Sequence, residues 1–111
     1  MPIDSKVMEP GILVVSLSGR LVFGRDVERL EGLVKDALKQ GRSRLVFDAS
    51  TLDYVDSSGI GAIVSCLTEV KKAGGDLRLA GANARVQRLF SMTGVDKLLR
   101  TYSNVAEAAA G

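Results

Sequence analysis

Apolar positions along this chain follow two rhythms in alternation: short runs of period two, and longer segments where they recur every three to four residues. Ile3 to Glu9 is weakly patterned and reads as a short edge strand. Glu9-Pro10-Gly11-Ile12 predicts a type II turn, because Pro presets the first central φ and Gly accepts the positive second one. Ile12 to Ser18 (ILVVSLS) predicts a strong strand, so the first two strands form an antiparallel pair. After a connector over Gly19 to Gly24, Val27, Leu30, Leu33, Val34, Ala37 and Leu38 share one face of a helix predicted over Asp26 to Lys39. Asp26 and Glu28 lie in its first turn, where the helix dipole favours acids, and Gly41 suits its stop.

The rhythms then repeat. Arg44 to Ala49 (RLVFDA) predicts a third strand, and Ser50 to Asp56 a loop. A second helix is predicted from Ser57 to Ala73, with Ile60, Ile63, Val64, Leu67 and Val70 as its apolar stripe and Gly74-Gly75 as its end. Asp76 to Ala80 (DLRLA) predicts a fourth strand. Asn83 suits the N-cap of a third helix ending near Thr93, with Val86, Leu89 and Phe90 inward and Gly94 at C′. Leu98 to Tyr102 predicts a short fifth strand, and Asn104 to Glu107 a capping box opening a final Ala-rich turn.

Strands alternating with helices imply parallel pairing through crossovers. Leu45, Phe47 and Ala49 share one strand face and Asp48 the other; Leu77 and Leu79 oppose Asp76 and Arg78. Strands covered on both faces would instead be apolar throughout. The expected fold is therefore α/β: a small mixed sheet of four or five strands, with an N-terminal antiparallel edge hairpin and helices mainly on one face. The length of 111 residues fits one domain, residues 1–111.

Composition narrows the chemistry. The chain has no His, which excludes Ser-His-Asp and Cys-His catalysis and His-based zinc sites. Cys66 is the single cysteine, so no intrachain disulfide forms, consistent with a reducing, cytoplasmic setting. A formal net charge of +2 is too balanced for a dedicated nucleic-acid surface. No apolar run is long enough to span a bilayer, and the N-terminus lacks a signal-peptide pattern. Neither nucleic acid nor membrane is an expected partner.

One segment concentrates polar groups at the start of a helix: Thr51-Leu52-Asp53-Tyr54-Val55-Asp56-Ser57-Ser58-Gly59-Ile60-Gly61. Loops at strand C-termini are the usual functional edge of an open α/β sheet. Asp56 or Ser57 can accept hydrogen bonds from the first free amides. The segment reads either as an N-cap followed by two packing glycines or as a binding site. Two adjacent serines exceed what one cap needs, and each glycine costs about 0.8–1 kcal/mol inside a helix. Tight packing of the helix on the sheet accounts for Gly61 well.

Other motifs fail. Val64 stands where a GxGxxG fingerprint needs its third glycine, and no Walker A or GxSxG pattern occurs. Asp48, Asp53 and Asp56 do not have the spacing of a calcium loop, and neither metal nor cofactor is expected. Cys66 reads as a buried structural thiol. Arg85 and Arg88 read as a solvated face.

These residues bear a specific resemblance to a known family. Leu45-Val46-Phe47-Asp48-Ala49-Ser50 followed by Leu52-Asp53-Tyr54-Val55-Asp56-Ser57-Ser58-Gly59-Ile60-Gly61 is similar to the strand, loop and helix start of STAS domains. Gly74-Gly75-Asp76-Leu77 and Val86-Gln87-Arg88-Leu89-Phe90 with Thr93-Gly94 extend the likeness over essentially the whole chain. The chain thus resembles the bacterial anti-sigma factor antagonists. The resemblance implies a non-enzymatic switch that binds a GHKL-type serine kinase acting as anti-sigma factor, and so frees a sigma factor. It implies Ser57 as the phosphorylated residue, reset by a phosphoserine phosphatase, with Asp53, Asp56, Ser57, Ser58 and Gly59 contacting the partner in a monomer or weak dimer. No Arg or Lys occurs between Arg44 and Lys71, so this stretch offers nothing to neutralise a phosphate. One departure stands out: Gly19-Arg20-Leu21-Val22 carries Val22 where many such proteins have an acid, followed by Phe23-Gly24-Arg25. Two rivals remain, a STAS scaffold subunit of a stress-signalling or transporter complex that is never phosphorylated, and a small transferase using Ser57, which lacks a visible base.

Overall fold

Two antiparallel strands open the chain, β1 (Ile3–Met8) and β2 (Ile12–Leu21), paired from Ile3↔Leu17 to Met8↔Ile12. The computed structural model describes residues 3–111. The hairpin is as expected, but its turn is one residue longer than a type II turn, which would pair Glu9 with Ile12. Met8 pairs with Ile12 instead, and Gly11 takes φ +80°.

The chain continues through α1 (Arg25–Lys39), β3 (Arg44–Val55), α2 (Ser57–Lys72), β4 (Asp76–Ala80), α3 (Ala84–Thr93), a 3-10 turn (Val95–Lys97), β5 (Thr101–Tyr102) and α4 (Val105–Ala110). The five strands lie in the order β1-β2-β3-β4-β5, with every pair after the first parallel. Neighbouring strands joined by helical crossovers place α1, α2 and α3 on one face of the sheet. Leu30, Ile63 and Phe90 from those helices share a buried cluster with Val15, Leu45, Phe47, Leu77 and Leu79. Phe47 and Leu79 are fully enclosed, which fits the period-two reading of both strands.

The opposite face is less open than its polar positions implied. Ala108 of α4 covers a second buried group of Ile12, Val14, Val46 and Ala80. Arg78 seats that helix: its Nη1 donates to the carbonyls of Ala108 (2.8 Å) and Gly111, and its Nε donates to Asp76 Oδ2 (2.8 Å). The guanidinium also lies 5.6 Å from the Tyr102 ring centroid. Asn104 Oδ1 accepts the Glu107 N–H at 2.9 Å, the N-capping half of the expected box.

Two boundaries move in a way that matters for the site. β2 runs to Leu21 rather than Ser18, and β3 runs to Val55 rather than Ala49, so most of the predicted loop Ser50 to Asp56 is strand. The two extensions pair with each other, through Ser18↔Thr51, Gly19↔Leu52, Arg20↔Tyr54 and Leu21↔Val55. Two register shifts accompany them, and Asp53 is the extra β3 residue at the second. The fifth strand shrinks to Thr101–Tyr102, because Val95–Lys97 and Leu98 continue the helical turn after α3.

Candidate functional site

The paired ends of β2 and β3 deliver Val55 and Asp56 directly to the start of α2. Asp56 is the N-cap residue, in extended conformation, and its Oδ1 accepts the Gly59 N–H at 2.8 Å. Its Oδ2 accepts the Phe23 N–H at 3.0 Å, from the β2–α1 loop. The Asp56 N–H donates to the Leu21 carbonyl at 3.2 Å. Hydrogen bonds from the Phe23 and Gly59 amides hold the Asp56 carboxyl below its usual range, so it is ionised at neutral pH.

Gly59 lies under this arrangement. A Cβ there would collide with the Leu21 carbonyl oxygen and stand 2.6 Å from Val55 Cγ1. Gly61 is the reverse of its expectation as the packing glycine: it is exposed, and a Cβ there would meet nothing. Ser57 is the first residue of α2 and is exposed, and Ser58 is half-buried. Among the described residues the Ser57 hydroxyl makes no hydrogen bond within the chain. Asp53 is exposed on the bulge, next to Tyr54. The structure thus groups Asp56, Ser57, Ser58 and Gly59 in one turn, with Asp53 on the strand leading into it.

Three further residues belong to this end of the sheet. Arg20 stacks on Tyr54, with its guanidinium 5.0 Å from the ring centroid. The absence of cations from residues 45–70 therefore describes the linear segment only; strand pairing brings Arg20 to it. Phe23, whose amide Asp56 holds, is 81% exposed. Asn83 links α3 to the same end, with Nδ2 donating to the Leu52 carbonyl (3.1 Å) and Oδ1 accepting the Val86 N–H (2.9 Å). Sequence reasoning marked Phe23 only as part of a departure; the signal that could have found it is a large apolar residue flanked by Gly24 and Arg25 in a predicted connector.

Asp48 accepts the Ser50 N–H at 3.1 Å, and no group of three potential ligands among the described residues could hold a metal ion. Cys66 is buried near a groove between α1 and α2, well away from Ser57 in sequence and on the inner side of its helix. Burial, with smaller contributions from Glu31 and Glu69, pushes its thiol up to about 12. Among the described residues no helix is long and apolar enough to cross a membrane.

Comparison with known proteins bears on this geometry. Residues 5–108 match the family described as STAS domain. An anti-sigma F factor antagonist of Paenibacillus polymyxa is 30% identical over 100 residues, covering 88% of this chain and 84% of that protein. A Thermotoga neapolitana protein described as a candidate anti-sigma factor antagonist is 32% identical over 71 residues, 64% of this chain and 63% of the relative's length. In solved structures, the corresponding Thermotoga maritima protein superposes with TM-score 0.88 at 23% identity, over 97% of this chain and 92% of that one. The Bacillus cell fate determinant SpoIIAA in its phosphorylated form gives 0.77 at 20% identity, over 97% and 96%.

Proposed function

The chain belongs to the STAS domain family, and from that premise we propose that it acts as an anti-sigma factor antagonist switched by phosphorylation of Ser57. The observation that carries this reading is the division of labour between neighbours at the start of α2. The Asp56 carboxylate is committed to the amides of Phe23 and Gly59, while the next side chain, Ser57, is exposed and makes no hydrogen bond among the described residues. A kinase would transfer the γ-phosphoryl group of ATP to Ser57 Oγ, with loss of the hydroxyl proton and release of ADP. The chain supplies an acceptor and no catalytic group, so it needs no His and no enzyme activity of its own.

A phosphate adds about −1.5 to −2 charge at pH 7. At the first position of a helix the dipole and free amides tolerate that charge, so the fold persists. The ionised Asp56 beside it adds to that negative charge, and repulsion and desolvation at the docked face then release the partner. The unmodified form binds the anti-sigma kinase in the cytoplasm and frees the sigma factor; a phosphatase restores it. The SpoIIAA structure in its phosphorylated form and the P. polymyxa antagonist support this assignment.

The test is incubation with the GHKL-type anti-sigma kinases of the same genome and ATP, followed by intact mass and peptide mapping. One phosphate on Ser57, absent in Ser57→Ala, is the expected result. No phosphate with any of them would overturn the switch and favour an unphosphorylated scaffold.

A further inference from the structure

We propose that Phe23 is the aromatic anchor by which the kinase acting on Ser57 docks, its ring entering an apolar pocket beside that kinase's active site; this rests on the reading of Ser57 given above. Four residues are large, apolar and exposed among those described: Val7, Phe23, Met92 and Leu98. Phe23 is the most exposed, at 81%, and the one bonded to the Ser57 segment.

Its display is built into the backbone. Val22 before it is half-buried, and the Phe23 N–H is held by Asp56 Oδ2. Gly24 after it has φ +135° and ψ −150°, a conformation that essentially only glycine adopts. The chain is thus tied down on the amide side of Phe23 and takes a glycine-specific turn after it, leaving the ring in solvent. An exposed aromatic of this kind, once covered by a partner, is the sort of residue that carries a large share of binding energy. The residue that holds its amide is the immediate neighbour of Ser57, so a protein surface reaching the Ser57 hydroxyl meets Phe23 as well.

The experiment uses the kinase that labels the wild-type chain. Initial rates are measured against concentration of wild type, Phe23→Ala and Phe23→Leu. We expect Phe23→Ala to raise KM by at least about tenfold, as loss of a hot-spot side chain does. Its kcat and thermal midpoint should not change, and Phe23→Leu should recover part of the loss. The chain contains no Trp, so Phe23→Trp adds a unique reporter whose emission should shift to the blue on kinase addition. Labelling of Ser57 with equal KM in all variants, or an unshifted Trp, would overturn the anchor and leave the Ser57 switch standing. A blue shift that grows with the chain's own concentration would assign Phe23 to a second copy and also overturn it. No labelling of the wild type would remove the switch and the anchor together.

Discussion

Gly59 and Leu21 meet backbone to backbone, and a Cβ on Gly59 would collide with the Leu21 carbonyl oxygen and with Val55. Gly61, two residues on in the same helix, faces open space. Equal substitutions should therefore have opposite signs. Gly59→Ala should lose about 1–3 kcal/mol through overpacking, whereas Gly61→Ala should gain about 0.8–1 kcal/mol of helix propensity. Urea denaturation of both variants checks this; equal effects would contradict the packing described.

Asp56 should make stability depend on acid. Its pKa is lowered in the folded protein from a reference of 3.8, chiefly by the Phe23 amide and then by that of Gly59. A lowered folded pKa contributes stability that is complete above the unfolded value and is lost as pH falls through the folded one. Asp56→Asn should thus melt below wild type at pH 7, and the gap should close below pH 3.8. Melting curves across that range test it; a constant gap would exclude the carboxylate as the cause.

Ser57→Asp should separate binding from folding. An acid at the first helical position suits the dipole, so the melting temperature should stay within a few degrees of wild type. Kinase binding should be abolished. Calorimetric titration of the variant checks the second half, and native affinity would sink the switch.

Cys66 should be inert in the folded state. With its thiol at about 12 and its side chain buried, almost no thiolate exists at pH 8. Reaction with an aromatic disulfide reagent should follow unfolding and become immediate in denaturant. Prompt stoichiometric labelling of native protein would contradict this.

Arg78→Ala should loosen α4. Loss of its hydrogen bonds leaves the Ala108 and Gly111 carbonyls without their donor and should cost about 1–3 kcal/mol. Burial works to raise the Asp76 pKa, but the hydrogen bonds from Lys71 and Arg78 outweigh it and hold the group low, so that carboxyl should also rise in the variant. Hydrogen exchange should accelerate in residues 105–110 and remain slow in β3.

Element order, the edge hairpin, the helix starts near Ser57 and after Asn83, and the apolar faces were legible because burial imposes period two or 3.6 along each segment. The continuation of β3 was not. Ser50, Thr51 and Asp53 have turn-like chemistry, and the shifts opposite Ser16/Ser18 and Gly19/Arg20 place Leu52 and Val55 inward three residues apart, breaking the alternation. The cap of α2 was legible as Asp56 or Ser57, and the structure gives that place to Asp56. The exchanged roles of Gly59 and Gly61 were not, because the partner of Gly59 is Leu21, distant in sequence and set by strand pairing alone. The bond from Phe23 to Asp56 was hidden for the same reason.

That bond spans 33 residues of chain. An unfolded molecule contains Phe23 and Ser57 but does not hold them together. A partner that needs both would therefore bind the paired β2 and β3 and not the loose chain.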